Sequence, residues 1–385
     1  MNNINLIFKG VRETTKPPKL SKERRMVFCE RSGEFSGETI RRIIMFVNGI
    51  HKKFQNQKMP IEFDFGEVKL VDKLSYVLFE CICFSLIEEY KHRVYLFWRP
   101  QNEIVTEGIL SSPLLLLNSE KVKHKKKYLE RFRFDIYGRH FRRVVDVQYK
   151  ERKNYLGNLW HELKSFFTPF EMDNDYIKQV NDTVVELVGN ACEHCGTDCL
   201  LDIDISTDYI KEKNRIKESG DYYGINIAIV NFSETLFGDS LKAKIKAGNS
   251  LDIERYQKLK GAFEFHSNHT SESYDEDDFF NIAALQFKIS GRMDIGSSGG
   301  RGLTKLIKSL QEKSDNDNCY MVSGNRCIFF ERDLINKDEK NWIGFNKNNN
   351  FFEELPDKAA IDRCPILLSG TAYNLTFVVK RREYE

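Results

Sequence analysis

Three polar side chains recur at regular intervals in the segment NDTVVELVGNACEHCG (181–196). Glu186, Asn190 and His194 are spaced four residues apart, so a helix would stack them along one face. An amide oxygen is a neutral hard ligand that suits one position around Mg²⁺, and a carboxylate one turn earlier can orient the water that attacks a γ-phosphate. The spacing predicts a helix that presents a magnesium ligand and a general base to a nucleotide.

A glycine-rich segment, GSSGGRGLTKLIKSLQEK (296–313), follows about a hundred residues later. Gly299, Gly300 and Gly302 would let the backbone approach a ligand closely, because glycine has no Cβ. The pattern LTKLIKSL then begins a helix, whose free N–H groups would face the same ligand. The segment is typical of a loop that binds phosphates.

Two strand ends supply further candidate binding residues. In AIVNFSETLFGD (228–239), the amide oxygen of Asn231 can accept a hydrogen bond from the amino group of adenine, while its NH₂ can donate to a ring nitrogen. In LLSGTAYNLTFVV (367–379), Gly370 and Thr371 form a turn before a final apolar strand.

The segment ELVGNACEH (186–194) closely resembles the N-box of the GHKL superfamily, whose members include histidine kinases and anti-sigma-factor serine kinases. The resemblance implies that Glu186 is the general base, that Asn190 binds Mg²⁺ and that His194 lies near the phosphates. It covers about 150–385 and implies a Bergerat-type ATP-binding domain, in which a mixed sheet carries helices on one face.

The glycine-rich segment resembles the second glycine box of the same family. Gly300, Gly302 and Leu303 fall at the matching positions. Arg301 stands where the family often has an apolar residue. Its guanidinium would be able to contact a phosphate directly. In the family, a Gly-Thr near the end of the domain abuts the adenine pocket, and Gly370-Thr371 match it.

The first glycine box departs from the family pattern. Asn231 takes the position of an Asp that accepts a hydrogen bond from adenine, and Ser233 and Thr235 replace the expected glycines. The departure leaves open a degenerate pocket that binds no nucleotide. The residues 236–295 correspond to the family's ATP lid, which can order when nucleotide binds and so act as a switch.

The first part of the chain, 1–117, is predicted to be a small α/β domain. IEFDFGEVKLVD (61–72) indicates a strand and turn, 73–92 an apolar helix and RVYLFW (93–98) a buried strand, an order that favours a parallel pair. The outline resembles a STAS-like domain, a partner-binding module of bacterial regulators. With the ATPase domain at 150–385, the predicted fold class is α+β.

A basic segment, 118–149, joins the two predicted domains. Ten Lys and Arg and interleaved aromatic residues lie in 118–143 against three acidic residues. This composition suits a surface for phosphate, nucleic acid or an acidic protein, and it equally suits a solvated linker and strand face.

Composition excludes several classes of function. The chain has 385 residues, and its 59 Lys and Arg against 57 Asp and Glu give a net charge of +2, so no overall field recruits nucleic acid or membrane. No apolar stretch reaches the roughly 18 residues of a membrane span, and the first residues lack a signal-peptide core. Nine irregularly spaced cysteines indicate reduced thiols. We expect a cytoplasmic protein with no membrane contact.

Two other signals are interpreted as structural. HELKSFFTP (161–169) resembles a phosphoacceptor box, but His161 lies too close to the N-box for that role. Cys192, Cys195 and Cys199 could bind zinc, yet a single helix rarely closes a tetrahedral shell, so free thiols are expected.

The leading hypothesis is an ATP-dependent regulatory or switch protein that binds Mg-ATP and hydrolyses it or transfers its phosphoryl group. A protein partner would bind the N-terminal domain or the lid, and serine kinase activity on a partner is a third reading. The rival is a non-catalytic binding module whose basic segment 121–143 docks nucleic acid or another protein.

Overall fold

A computed structural model describes residues 1–385 except 17–19, 56, 71, 100–111, 120, 171, 214–215, 249–253, 290–301, 315–318 and 382–385. At 147, 193–195, 208–213, 216–221, 302–305 and 313 it describes the backbone alone. Nowhere in these described parts does a helix combine the length and apolarity needed to cross a bilayer. The chain is α+β, as predicted, with helices layered on more than one sheet.

The N-terminal part contains a three-stranded parallel sheet with two helices. The strands β1, β3 and β5 pair in that order, and β3, α2 and β5 form the predicted strand–helix–strand unit with a parallel pair. Two short strands, β2 and β4, also pair in parallel. The bounds are β1 Met26–Cys29, β2 Glu34–Phe35, α1 Gly37–Phe54, β3 Pro60–Gly66, β4 Lys69–Leu70, α2 Lys73–Glu88 and β5 Arg93–Trp98.

The larger sheet has six strands in the order β10-β11-β9-β8-β7-β6. Every pair described in it is antiparallel, which corrects the prediction of a mixed sheet. The hairpin β8–β9 and the neighbouring hairpin β10–β11 account for this arrangement, because both connect strands that run in opposite directions. The bounds are β6 Phe134–Tyr137, β7 His140–Val145, β8 Cys199–Lys213, β9 Ile216–Phe232, β10 Tyr320–Phe329 and β11 Ile361–Lys380.

The basic segment 118–149 is folded along most of its length. It forms α3 (Val122–Arg133), then β6 and β7, and ends in the short helix α4 (Val147–Glu151). Since β7 pairs with β8, the segment supplies two strands of the large sheet in addition to linking the two parts of the chain.

Three helices cover one face of the large sheet: α5 (Tyr155–Phe167), α6 (Asn174–Cys195) and α10 (Gly302–Lys313). All three lie where the sequence predicts helices. Asp173 caps the start of α6 by accepting a hydrogen bond from the Tyr176 N–H, and Gly196 ends the helix in a left-handed conformation.

The opposite face of the large sheet packs against the N-terminal part, so the prediction of helices on only one face is incomplete. Ala228 and Val230 on β9 share a core with the side chains of α2 and α3. The apolar character of α2 on all sides follows from this position, because the helix lies between the two sheets.

A cluster of charged groups is buried where α2 and α3 meet the large sheet. Lys73 on α2 forms ion pairs with Asp202 and Asp204 on β8, and Arg142 on β7 pairs with Asp202 and with Glu80 on α2. All five side chains are fully buried. Opposite charges in contact offset much of the cost of removing these groups from water.

His140 extends this cluster toward the β6 edge. Its two ring nitrogens contact Asp135, at 3.0 Å, and Asp202, at 2.8 Å. Burial alone would lower the pKa of His140, but the two carboxylates outweigh burial and raise the pKa above its ordinary value. His140 and Arg142 are therefore unavailable to an external ligand, so only part of the basic segment 121–143 can form a docking surface.

The predicted lid, 236–295, contains three helices: α7 (Asp239–Lys246), α8 (Glu254–Ser267) and α9 (Glu276–Ala284). Residues 331–360, between β10 and β11, pack against these helices. Arg255 on α8 donates to the carbonyl of Lys340 and stacks on Trp342, and His266 contacts the carbonyl of Phe351 at 2.9 Å. The sequence shows no periodic pattern that would predict this second insertion. The remaining short helices are 3₁₀ turns at Ile4–Gly10, Pro113–Asn118, Thr168–Phe170 and Arg332–Leu334.

Asn181 on α6 carries a testable cost to stability. Its side chain is fully buried, and neither the nitrogen nor the oxygen of its amide has a hydrogen-bond partner among the described residues. An unpartnered buried amide costs about 1–3 kcal/mol, so the similarly shaped Asn181→Leu variant is expected to raise the free energy of unfolding by about that amount. Denaturant unfolding measures the change. Asn181→Ala is the control, because it removes the amide but leaves a cavity; a leucine variant less stable than wild type would contradict the prediction.

Candidate functional site

The helix α6 presents two of the predicted site residues on the side away from the sheet. Val184 and Val188 are buried against the sheet, whereas Glu186 and Asn190 are partly exposed. This division follows from the helical repeat, which places residues four apart on one face. The backbone at His194 belongs to the last turn of α6, and its side chain lies outside the described residues.

The helices α6 and α10 run antiparallel. Near the amino end of α6, the Tyr176 hydroxyl donates to the carbonyl of Val378 on β11. Immediately after α10, Ser314 forms a β-bridge with Phe377 on the same strand. Midway along the two helices, the hydroxyls of Thr183 on α6 and Ser309 on α10 lie 2.8 Å apart. The beginning of α6 thus lies beside the end of α10.

The antiparallel packing places Asn190 level with the amino end of α10. Asn190 lies seven residues after Thr183, and Gly302 lies seven residues before Ser309. At about 1.5 Å of rise per residue, both are about 10 Å from the Thr183–Ser309 contact in the same direction. The N–H groups in the first turn of α10 lack partners within the helix. They lie at the same height along the helix pair as Asn190. Anions bind favourably at such a helix end.

The glycine-rich loop itself lies largely outside the described residues. Gly299, Gly300 and Arg301 belong to that part of the chain, so the predictions for them stay predictions. Gly302 and Leu303 form the first turn of α10, of which the backbone is described.

Asn231 and Thr371 are direct neighbours on adjacent strands. They pair in register between β9 and β11, and both point to the face that carries α6. The Asn231 NH₂ donates to the Thr197 hydroxyl and to the Asp198 carbonyl, at 2.5 and 3.0 Å. Its side-chain oxygen is buried, and no described residue donates a hydrogen bond to it. This oxygen can accept a hydrogen bond from an amino group such as that of adenine.

Gly370 allows the close approach of β11 to β9. Its φ of +114° lies in the left-handed region, and a Cβ there would lie 2.1 Å from the Asn231 carbonyl oxygen. Any other residue would therefore push the strands apart. The Gly370 carbonyl accepts a hydrogen bond from Ser323, whose hydroxyl oxygen also accepts from the N–H of Phe237 at the start of the lid.

The turn after β9 forms without the glycines that the family usually has. The Ser233 N–H donates to the Ser369 carbonyl, and the Ser233 hydroxyl accepts from the N–H of Thr235 at 3.0 Å. A serine side chain can stabilise a turn in this way. The two substitutions are thus compatible with an ordered turn beside Asn231.

Two arginines join the lid to the large sheet. Arg326 on β10 forms ion pairs with Asp275 and Asp278 at the start of α9, and Arg363 on β11 lies 3.6 Å from each. Burial raises the pKa of Asp278 to about 7, although the nearby Arg326 opposes the shift. This contact fixes the start of α9 against β10 and β11.

Thr197 and Ser309 belong to this region but are absent from the residues predicted from sequence. Thr197 follows the glycine that ends α6 and fixes the orientation of the Asn231 amide. Its place between a helix end and a strand is the one sequence signal that could have indicated it. Ser309 gave no such signal, because its partner Thr183 is more than a hundred residues away.

Comparisons with known proteins give no relatives: no family model, curated protein or solved structure matches this chain. Among the described side chains, no group of His, Cys, Asp or Glu could hold a metal ion. Cys192 and Cys199 are buried, while the Cys195 side chain lies outside the described set. His161 lies on the exposed side of α5.

Proposed function

We propose that this protein binds Mg-ATP on the outer side of the large sheet, in a Bergerat-type pocket. The triphosphate lies between the second half of α6 and the amino end of α10, and the adenine lies at Asn231 and Thr371. The observation that carries the proposal is that Asn190, which is level with Gly302, lies on the same face of the sheet as the Asn231–Thr371 pair. The antiparallel packing of α6 against α10 supports it.

The proposed roles follow from the chemistry of each group. Asn190 offers an amide oxygen to Mg²⁺, and Glu186, one turn earlier, orients the attacking water or accepts a proton from another nucleophile. The free N–H groups of α10, with the glycine loop, bind the phosphates. Asn231 accepts a hydrogen bond from the adenine amino group, which favours ATP over GTP, because guanine has a carbonyl oxygen at that position.

The arrangement also supports a regulatory role within one chain. The N-terminal part packs on the back of the sheet whose front holds the proposed nucleotide site. Near the start of the predicted lid, 236–295, the N–H of Phe237 donates to the Ser323 hydroxyl. That hydroxyl donates in turn to the Gly370 carbonyl beside the proposed adenine position. Nucleotide binding at Thr371 would therefore act on both the lid and the strand that contacts the N-terminal part.

Thermal unfolding with a non-hydrolysable ATP analogue tests the proposal. A ligand at about a hundred times its Kd stabilises the folded state by about 2.7 kcal/mol, so the wild-type chain is expected to melt at a higher temperature with the analogue and Mg²⁺. Asn190→Ala is expected to lose the part of this shift that depends on Mg²⁺. The matched control is Asn158→Ala on the exposed side of α5. Equal shifts in the wild type and both variants would contradict the assigned role of Asn190.

A further inference from the structure

In the described part of the chain, one face of the N-terminal parallel sheet is partly exposed to solvent. On β5 the side chains of Val94, Leu96 and Trp98 are buried in the core, and the alternate residues point outward. Parallel sheets are usually covered on both faces, so an open face with large side chains indicates a binding surface. The outward residues of β5, extended by the next alternate position, form the row Arg93, Tyr95, Phe97 and Arg99.

The row on β5 combines the two chemistries that bind single-stranded nucleic acid, positive charge and aromatic rings. Side chains on one face of a strand recur at about 6.6 Å, which places two aromatic rings between two guanidinium groups. Phe97 is 47% exposed, and Arg99 stacks near it at 5.5 Å. Tyr95 contacts Lys125 of α3 at 4.1 Å and Arg25 at 4.2 Å. Aromatic rings beside cations can stack on bases while the cations contact phosphates.

The acidic groups on this face are neutralised by ion pairs. Glu62 and Asp64 on β3 lie beside Tyr95 and Phe97 in the sheet register. Glu62 pairs with Arg25 at 2.7 Å, and Asp64 accepts a hydrogen bond from Arg31 at 2.9 Å. These carboxylates therefore offer little repulsion to a phosphate backbone.

The helix α3 adds unpaired positive charge along the edge of β5. Three of its lysines and the lysine immediately before it are exposed and form no ion pair with a described residue: Lys123, Lys126 and Lys127 on the helix, and Lys121. The contact between Lys125 and Tyr95 places this helix directly beside the β5 row. Surface lysines without carboxylate partners are suited to phosphate contacts.

We infer that the open face of β5 and the adjacent lysines of α3 bind single-stranded nucleic acid. The exposed ring of Phe97 favours unpaired bases over a duplex, whose bases are already stacked. The same ring favours nucleic acid over an acidic peptide, which requires charge alone. The surface lies on the N-terminal part, on the other side of the large sheet from the proposed ATP site, so the two proposals stand independently.

Fluorescence anisotropy with labelled 20-nucleotide oligo-dT and oligo-U tests this inference on the full chain. Binding is expected to weaken roughly a hundredfold between 50 and 200 mM salt if about five phosphates are contacted. Phe97→Ala is expected to weaken binding roughly fivefold to a hundredfold through lost stacking. The triple charge reversal Lys123→Glu/Lys126→Glu/Lys127→Glu is expected to weaken it by more than about tenfold, with a shallower salt dependence.

The matched control reverses three exposed lysines on the side of the lid and second insertion, with the same change in net charge. It is Lys260→Glu/Lys347→Glu/Lys358→Glu, and circular dichroism confirms the folding of every variant. The inference holds if the control binds like wild type. It is overturned if no oligonucleotide binds at 50 mM salt, or if the control loses as much affinity as the α3 variant. It is also overturned if polyglutamate competes equally and Phe97→Ala has no effect, since the surface would then bind any polyanion.

Discussion

Replacing Glu186 with alanine is expected to lower the rate of ATP turnover by about 10²- to 10⁴-fold while nucleotide binding is retained, because a positioned general base contributes about that factor. Glu186 and Asn190 lie one turn apart on the same helix, near the level where α10 begins. Removing the carboxylate leaves the amide ligand and the phosphate-binding N–H groups in place. Single-turnover assays with radiolabelled ATP measure the rate, and equilibrium titration measures binding.

The control for this experiment is Glu130→Ala. Glu130 is an exposed carboxylate on α3, which packs on the opposite face of the large sheet. It is expected to leave both turnover and nucleotide binding unchanged. If Glu186→Ala turned over ATP as fast as Glu130→Ala, the assignment of Glu186 as the base would be wrong, whether or not ATP still bound.

The Arg142→Met variant is expected to lose about 3–5 kcal/mol of the free energy of unfolding. Arg142 is fully buried and pairs with Glu80 of the N-terminal part and with Asp202 of the large sheet. Removing one member of a buried ion pair leaves the other charge without compensation, which costs more than the pair itself contributes. The double variant Glu80→Gln/Arg142→Met is expected to recover part of the loss, because it removes the stranded carboxylate.

The adjacent residue supplies a matched control for the same substitution. Arg143 pairs with Glu162, and both side chains are partly exposed to solvent. Ion pairs of this kind contribute about 0–1 kcal/mol, so Arg143→Met is expected to have a small effect. Denaturant unfolding of the two variants measures the difference. Equal losses would show that the buried cluster does not hold the N-terminal part against the sheet.

Local patterns predicted several of the helices and strands but not how the two parts of the chain pack. The apolar runs that form α2, α6 and β9 are visible in the sequence, because burial on a helix or strand leaves a periodic trace. In the sequence, Asp202 and Asp204 alternate with apolar residues, and this pattern predicts a strand with one face exposed to solvent. The structure buries both carboxylates against Lys73, which lies more than a hundred residues earlier in the chain.

The basic segment illustrates the same limit. As a run of charges, 118–143 suits a docking surface and also a solvated linker and strand face. The difference depends on partners that are distant in sequence: Arg142 is neutralised by Glu80 and Asp202, whereas Lys123, Lys126 and Lys127 on α3 form no ion pair with a described residue. A charged residue carries no local signal of its partner, so only the folded chain separates these cases.

The site residues stay predictions, and they came from residue type together with the resemblance to the GHKL superfamily. The fold places two of them, Asn231 and Thr371, in register on the face of the sheet that α6 also covers. Thr197 and the second insertion, 331–360, were missed because neither carries a periodic or compositional signal. The serine turn at Ser233 also lacks a pattern that distinguishes it from a loop.

The most direct test of the proposed Mg-ATP site is a calorimetric titration of the wild-type chain with a non-hydrolysable ATP analogue and Mg²⁺, made at two temperatures. We expect saturable binding of one nucleotide per chain, weaker when Mg²⁺ is removed and weaker still for the matching GTP analogue. Absence of binding at both temperatures would contradict it, as would equal affinity for the ATP and GTP analogues with no effect of Mg²⁺.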